Sequence, residues 1–354
     1  MLLNTIYDNK IDFPLFLERK VKITNPYTFV YGVKFSGKTF LIYDYLNSNK
    51  DKNYLYIDLK DFKISFYNYT NLDSFIKENN IEILIVENYT LDFVLPKVDS
   101  IIVSNEEKLL VNNFEYIKVQ PLDFEEYLLF DTKHQNTTNS FNSFLKYGNL
   151  PEIIDFKDFK KQSRLQEIIK LFYQNETALY ILKLFIKHSA QTKSIYQLFT
   201  LLKKDIKVSK DYFYKIALDL QKRNIIYFIP KYNQEKAVKK IFCFNHALID
   251  SINYNKNFAY IFANMVFLEL NSRYKEIFYL DNIDFFIKEE KTIILCMPFY
   301  NTVLFTNNTK KILNSISGLD IDLIQIITIS TQDTIYIDDI SCEILPFYNW
   351  AVTL

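Results

Sequence analysis

The sequence predicts an α/β fold in three parts: an N-terminal parallel sheet with helices, a helical middle part and a small C-terminal α/β part. Short apolar segments alternate with helical stretches over residues 27–120, which is typical of a parallel sheet with crossover helices. Over residues 165–229 the apolar side chains instead recur at helical spacing. We therefore place boundaries near residues 160 and 250. The resulting domains are residues 1–160, 161–250 and 251–354.

The N-terminal part is predicted to begin with a strand over residues 27–31 and a helix over 38–47. Short apolar runs that end in polar residues predict further strands, and one amphipathic stretch predicts a short helix. These strands are expected at 54–59, 81–88, 100–104 and 116–120, and the helix at 72–80. The run IEILIVEN over 81–88 is continuously apolar until its end, which indicates a strand buried on both faces. Residues 131–143 are polar without an apolar period and predict a surface loop.

The middle part is predicted to contain four helices followed by two strands. The helices are expected at about 165–174, 176–190, 194–205 and 209–224, and the strands at 225–232 and 239–245. Ser209 stands where the N-cap of the last helix belongs. Helices followed by a β-ribbon in this order are the layout of a winged helix-turn-helix.

The sequence beyond residue 250 returns to an α/β pattern. Helices are expected at 257–272 and 308–317, and strands at 276–280, 283–288, 292–297 and 324–329. We therefore predict a separate C-terminal α/β domain.

The segment GVKFSGKT at residues 32–39 fits the pattern G-x-x-x-x-G-K-[ST] between a predicted strand and a predicted helix. Its glycines let the backbone turn sharply, so that main-chain N–H groups and the start of the helix face phosphate oxygens. Lys38 is expected to reach the β- and γ-phosphates, and Thr39 to offer its hydroxyl to Mg²⁺. The motif therefore predicts a site for ATP and Mg²⁺. Its residues are Gly32, Val33, Lys34, Phe35, Ser36, Gly37, Lys38, Thr39 and Phe40.

Polar residues at the ends of two predicted strands are candidates for metal binding and hydrolysis. Glu87 ends the strand over 81–88, and we expect it to help Thr39 hold Mg²⁺. Asn88 follows at the position where a water-activating glutamate often stands; a carboxamide can orient water but cannot take its proton. Asn105 follows the strand over 100–104 and is a candidate contact to the γ-phosphate. This set predicts slow or lost hydrolysis, with weak ATPase activity as the variant interpretation.

Charge is balanced over the whole chain, with 42 basic and 42 acidic side chains, but it is unevenly distributed. Residues 157–240 contain 19 Lys and Arg against 7 Asp and Glu, a net charge of 19 − 7 = +12. Either these lysines cover solvated helix faces, or a basic module meets an anionic partner. In the second case the helix over 209–224 would enter the major groove of DNA. The contacts would then be Lys210, Lys215, Lys222 and Arg223.

Several other classes of protein are not expected. No segment approaches the roughly 18 consecutive apolar residues of a membrane span. The N-terminus carries Asp8 early and has no basic region followed by an apolar core, so no secretory signal is expected. The widely spaced Cys243, Cys296 and Cys342 exclude a disulfide framework and are typical of a reducing compartment. We therefore expect a cytoplasmic protein.

The motifs follow one another in a characteristic order. They are GVKFSGKT, ILIVEN, SIIVSNEEKLL, then VQPLDFEEYL at 119–128 and FLKYGNLPEII at 144–154. This order resembles the prokaryotic AAA+ ATPase family related to archaeal ATPases, in which a winged helix and a restriction-endonuclease-like domain of unknown function follow the P-loop domain. The resemblance implies an ATP-binding protein whose nucleotide state biases a partner interaction. An oligomer is compatible with it. The alternative is a DNA-binding regulatory or adaptor protein that acts through a basic winged helix.

The chain departs from this family at two informative places. The Walker B strand of the family usually ends in Asp-Glu, whereas Glu87 and Asn88 stand here. In the nuclease-like domain, Asp284 matches the first acid of the PD-(D/E)xK pattern, but the E-x-K position falls on Cys296-Met297-Pro298. These residues do not form a hard-oxygen site for Mg²⁺. The resemblance therefore implies a degenerate C-terminal domain that does not cut nucleic acid and serves packing or partner contact.

Overall fold

A computed structural model describes residues 2–13, 17–64, 69–254, 257–337 and 340–354. The chain divides into two compact units. The first contains Met1–Pro121 and Lys222–Asn224, and the second contains residues 122–221 and 225–354. The predicted boundaries near residues 160 and 250 both lie inside the second unit. Within the described ranges, no helix is both long and apolar enough to cross a membrane.

The first unit is built on a five-stranded sheet in which every neighbouring pair is parallel. Its strands are β1 (Tyr27–Tyr31), β2 (Tyr54–Asp58), β3 (Ile83–Glu87), β4 (Ser100–Asn105) and β5 (Glu115–Lys118), in the order β2-β3-β4-β1-β5. Its helices are α1 (Leu2–Asp8), α2 (Lys38–Ser48) and α3 (Leu72–Glu78). The predicted parallel α/β sheet is confirmed, and β3 is buried at every position as its apolar run indicated.

Both faces of this sheet are covered, because side chains alternate along each strand. On one face Phe29 packs against Tyr116, with ring centroids 5.5 Å apart. On the other face Val30 packs with Leu41 and Ile42 of α2. The β1–α2 connection is thereby held between two cores, and the carboxyl ends of the strands meet at one edge.

The second unit contains most of the helices. They are α4 (Phe124–Phe130), α5 (Thr137–Tyr147), α6 (Pro151–Asp155), α7 (Asp158–Lys170), α8 (Glu176–Lys187), α9 (Ile195–Leu202), α10 (Lys210–Lys222), α11 (Ala247–Ile252), α12 (Phe258–Arg273), α13 (Thr302–Ile316) and α14 (Phe347–Thr353). The predicted N-cap of α10 is confirmed, because the Ser209 hydroxyl accepts a hydrogen bond from the backbone N–H of Tyr212 at 3.2 Å. The antiparallel strands β6 (Ile226–Ile229) and β7 (Lys240–Cys243) form a two-stranded ribbon.

The prediction of a surface loop over residues 131–143 is wrong. Helix α5 begins at Thr137, where the side chain of Asn136 accepts from the backbone N–H of Asn139 at 2.8 Å. Phe141 and Phe144 are buried on one face of this helix. Phe141, Phe144 and Tyr147 follow one another at a spacing of three residues and form the apolar face of the helix. The segment 131–143 ends before this spacing can be recognised, so its composition alone indicated a loop.

The helix predicted at about 165–174 begins and ends earlier. Helix α7 spans Asp158–Lys170 and so includes a charged segment. The guanidinium of Arg164 donates to the carboxylate of Glu152 at 2.9 Å, and Lys161 is buried. The helix accommodates these charged residues for two reasons. Their charges are paired with carboxylates, and the long apolar stem of a lysine can be buried.

The second unit also contains a mixed six-stranded sheet. Its strands are β8 (Phe278–Leu280), β9 (Ile283–Ile287), β10 (Thr292–Cys296), β11 (Leu323–Thr328), β12 (Asp333–Ile337) and β13 (Ile340–Pro346), in the order β12-β13-β11-β10-β9-β8. The three central strands β10, β11 and β13 are parallel, and the outer pairs are antiparallel. The sequence predicted β8 to β11 but not β12, β13 and α14.

Acid is expected to destabilise the protein through His246. This side chain is fully buried, its Nε2 donates to the carbonyl oxygen of Phe144 at 2.9 Å, and burial lowers its pKa to about 4. The unfolded chain binds a proton near pH 6.5, whereas the folded chain does so only near pH 4. The free energy of unfolding should therefore fall as the pH drops from 6.5 to 4, by roughly 3 kcal/mol in total. Urea midpoints at several pH values measure this, and the His246→Gln variant is the control because it should lose that part of the slope.

Candidate functional site

The loop between β1 and α2 adopts the backbone conformations that its glycines suggested. Gly32, Phe35 and Gly37 have φ angles of +149°, +65° and +96°. A Cβ atom on Gly32 would lie 2.1 Å from the carbonyl oxygen of Val119, so no side chain fits there. Gly37 is the N-cap residue of α2. The loop therefore turns tightly into the start of a helix, the arrangement that binds phosphate groups.

Two polar side chains of this loop, those of Ser36 and Lys38, are buried. Lys38 is almost completely buried, and its Nζ donates to the carbonyl oxygens of Gly32 and Val33, each at 2.9 Å. Burial lowers the pKa of Lys38 to about 8. The hydroxyl of Ser36 is also buried and has no hydrogen-bond partner within the described residues. A ligand with several anionic oxygens would satisfy both side chains, so the loop fits a polyphosphate.

Thr39 and Glu87 meet beside the loop, as the strand-end prediction required. The Thr39 hydroxyl donates to Oε1 of Glu87 at 2.9 Å, and Ser104 donates to the same oxygen at 3.2 Å. Tyr56 donates to Oε2 of Glu87. Burial, and then the Glu87 charge, raises the pKa of Tyr56, which keeps this phenol a donor. Three hydroxyl groups thus orient one buried carboxylate.

The residues present fit Mg²⁺ bound together with a nucleotide. In the described part of the chain, no group of three or more His, Cys, Asp or Glu side chains could hold a metal alone. Mg²⁺ commonly takes one or two protein ligands and completes its shell with phosphate oxygens and water. Thr39 and Glu87 would be those protein ligands, and the bound metal would neutralise charge on the phosphates.

The two asparagines assigned to water or phosphate contacts are hydrogen-bonded to the protein. Asn88, with φ of +54°, donates to Oδ1 of Asp58 at 2.6 Å. Asn105 donates to the carbonyl oxygen of Tyr89 at 2.6 Å and accepts from the backbone N–H of Glu106 at 2.6 Å. Both carboxamides hold the ends of strands here, and their contacts with a nucleotide stay predictions.

Sequence reasoning missed a cluster of charges next to the loop. Glu106 is buried, and its carboxylate is paired with Arg223 at 2.6 Å and with Lys34 and Lys60 at 3.7 Å each. Its charge is also the largest electrostatic influence that supports protonation of Lys38. One carboxylate therefore faces several cations, an excess of positive charge that suits an anionic ligand. The pair Glu106-Glu107, shortly after a predicted strand, was the feature of the sequence that could have indicated this cluster.

A second missed residue supports the loop from the N-terminal segment. The Arg19 guanidinium donates to the carbonyl oxygens of Ser36 at 2.7 Å and Gln120 at 2.9 Å. It links the loop to the segment after β5. Only 4 of the 354 residues are arginine, so their rarity in a lysine-rich chain was the signal that could have singled it out.

Of the four residues proposed to contact DNA, three lie on α10 and Arg223 directly follows it. Lys210 lies 5.6 Å from the ring centroid of Tyr214, and Lys215 is exposed. Lys222 and Arg223, both in the first unit, are instead paired with Glu107 at 3.3 Å and Glu106 at 2.6 Å. Only the first two therefore present charges that are not paired with a carboxylate among the described residues.

Asp284, which matched the first acid of a nuclease pattern, is bound to protein groups. Its Oδ1 pairs with Nζ of Lys240 at 2.8 Å, and its Oδ2 accepts from the backbone N–H of Cys296 at 2.9 Å. Both carboxylate oxygens are used to join β7, β9 and β10. This arrangement is structural and accords with Cys296-Met297-Pro298 standing at the position where the pattern requires E-x-K.

No family model matches the chain. A curated relative, the uncharacterized protein MJ1544 of Methanocaldococcus jannaschii, is 24% identical over 393 residues, covering 94% of this chain and 89% of that protein. The Walker-type ATPase PABY2304 of Pyrococcus abyssi aligns over 64% of this chain and 91% of its own, at 10% identity and a TM-score of 0.41. The ORC1 protein of Aeropyrum pernix, solved in complex with DNA, aligns over 64% and 86%, at 11% identity and a TM-score of 0.31.

Proposed function

We propose that this chain is a cytoplasmic ATP-binding protein of the AAA+ class that uses Mg²⁺ and hydrolyses ATP slowly or not at all. The observation that carries the proposal is the loop over residues 32–39. Its left-handed turns, its buried Lys38 ammonium and its position at the start of α2 form a receptor for a polyphosphate. Thr39 and Glu87 stand beside it as a pair of oxygen ligands, 2.9 Å apart.

Slow or lost hydrolysis follows from the groups at the ends of β3 and β4. The carboxylate of Glu87 accepts hydrogen bonds from three hydroxyl groups. We therefore assign it the role of holding these groups in place rather than that of a base that takes a proton from water. Asn88 has no group basic enough to take a proton from water and donates to Asp58. The nucleotide then serves as a bound signal, and its state biases contact with a protein partner.

Binding is tested by equilibrium titration with a fluorescent ATP analogue, with and without Mg²⁺. We expect tighter binding with Mg²⁺ and competition by unlabelled ATP. Absence of saturable binding would exclude the proposal.

The hydrolysis part is tested separately by identifying the nucleotide that the purified protein retains before and after long incubation with Mg²⁺. Retained triphosphate supports a switch, and conversion to diphosphate at ordinary enzyme rates indicates an ATPase.

Replacing Glu106 by glutamine is expected to strengthen ATP binding. The substitution removes from beside the phosphate site a buried negative charge that is now paired with Lys34, Lys60 and Arg223. Glu106 also supports protonation of Lys38, but bound phosphate would take over that role. One unit of charge close to a polyanion corresponds to an affinity gain of roughly tenfold. The matched control is Glu107→Gln, because Glu107 pairs with Lys222 at 3.3 Å and is more exposed. Equal affinities of the two variants in the same titration would contradict the assigned role of Glu106.

We propose that residues 161–250 form the winged helix implied by the family resemblance, since α8, α9 and α10 precede the β6–β7 ribbon in that order. The domain over 251–354 would be the degenerate nuclease-like part, used for packing or partner contact.

A second candidate function is binding of duplex DNA through Lys210 and Lys215 on α10. It requires affinity that falls steeply between about 50 and 200 mM salt, and salt-independent binding would remove it.

A further inference from the structure

A cleft of about 930 Å³ lies in the second unit, lined by residues of α5, α7, α8 and α11. One face of α7 forms its floor, because the lining residues Phe159, Gln162, Gln166 and Lys170 follow each other at helical spacing. The distance from Phe159 to Lys170 along the helix axis is about 16 Å. An elongated ligand with several recognition groups therefore fits this floor better than a compact one.

The surroundings of the cleft carry excess positive charge. Three lysines and two aspartates line it, so the balance is 3 − 2 = +1. The lysines are Lys146, Lys170 and Lys183. The buried Lys161 pairs with the lining residue Asp158 at 3.3 Å, which offsets part of its negative charge. This charge favours an anion.

The cleft also presents flat apolar surfaces and a carboxamide. Phe159 is 75% exposed and Tyr254 is fully exposed, although rings of this size are usually buried. The Gln162 side chain makes no hydrogen bond within the described ranges of the chain, so its donor and acceptor are available. Exposed rings stack on nucleobases, lysines meet phosphates, and carboxamides read base edges.

We propose that this cleft binds single-stranded nucleic acid. The bases stack on Phe159 and Tyr254, and the backbone phosphates meet Lys146, Lys170 and Lys183. An acidic peptide would match the charge but would leave the exposed rings without flat partners. A duplex would hide its bases from these rings. The proposal is independent of the P-loop site and concerns a surface other than the exposed lysines of α10.

The test is fluorescence anisotropy of the full-length protein with a labelled twelve-nucleotide oligothymidylate. We expect saturable binding whose logarithm falls with the logarithm of salt concentration with a slope of about −2, because three lysines each contribute about −0.7 for a single strand. Phe159→Leu should weaken binding roughly five- to hundredfold. Its exposed position should leave the thermal unfolding midpoint unchanged. Lys183→Glu should weaken binding roughly tenfold and make its loss with salt shallower, because one phosphate contact of about −0.7 is removed from the slope.

Matched variants separate this cleft from other sites. Lys187→Glu, one helical turn from Lys183 and also exposed, should retain wild-type affinity. Lys38→Ala should also retain it, so failure of the nucleotide-binding proposal and failure of this one are distinguishable. The proposal is overturned if no binding is seen at 50 mM salt, or if a polyglutamate peptide binds and the oligonucleotide does not. Equal effects of the Lys183 and Lys187 variants, or loss of binding in the Lys210→Glu, Lys215→Glu double variant, would also overturn it.

Discussion

Replacing Lys38 by alanine is expected to weaken binding of ATP by roughly 100-fold or more, because each hydrogen bond to a charged group contributes about 1.5–3 kcal/mol. The Lys38 ammonium already lies inside the loop, 2.9 Å from two of its carbonyl oxygens, and needs only to exchange these for phosphate oxygens. The measurement is the titration with the fluorescent ATP analogue. Lys50→Ala, at an exposed lysine after α2, is the control and should bind as the wild type does.

The pH dependence of the same titration identifies the Lys38 charge as the cause. Burial lowers the pKa of Lys38 to about 8 in the nucleotide-free protein, and bound phosphate would raise it. Affinity should therefore be constant below pH 8 and fall by up to tenfold per unit above it. Lys38→Arg keeps its charge at these pH values and should lose this dependence. Wild-type affinity that stays flat to pH 10 would show that Lys38 does not meet the phosphates.

Replacing Gly32 by alanine is expected to destabilise the first unit by about 4 kcal/mol and to abolish ATP binding. The new Cβ would lie 2.1 Å from the carbonyl oxygen of Val119, whose own N–H donates to the carbonyl oxygen of Tyr31 at 2.7 Å. Moving the two backbones apart to relieve the contact would lengthen this hydrogen bond. The φ of +149° adds strain for any residue with a side chain. Urea unfolding followed by circular dichroism measures the loss.

The chain provides a matched control for this substitution in Gly318→Ala. Gly318 also has a positive φ, +79°, but a Cβ atom there would meet nothing within 4 Å. Only the backbone cost of about 1–2 kcal/mol should appear. If both alanine variants were equally stable, the close approach of Val119 to the loop would have no energetic weight.

Local patterns predicted the parts of the site that are contiguous in the chain. The spacing of Gly32, Gly37, Lys38 and Thr39 determines a turn and a helix start within eight residues, so no distant information was needed. The apolar run before Glu87 was sufficient to place its carboxylate at the end of a buried strand. In a parallel sheet such strand ends share one edge, which accounts for the contact between Glu87 and Thr39.

The groups that modulate the site come from distant segments, and their proximity depends on packing. Arg19 reaches the carbonyl oxygen of Ser36, and Arg223 reaches Glu106 across 117 positions of sequence. The helix starting at Thr137 was missed for a related reason, since burial of Phe141 and Phe144 against other elements outweighs a polar local composition.

The amino-acid order by itself thus determined the tight turn over residues 32–39 and the parallel sheet that carries it, because short-range sterics and side-chain periodicity act within each segment. The tertiary structure alone decided which charges surround that turn and where the cleft on α7 lies. Long-range contacts are set by the packing of whole elements, and one sequence pattern is compatible with many such arrangements until a core is closed.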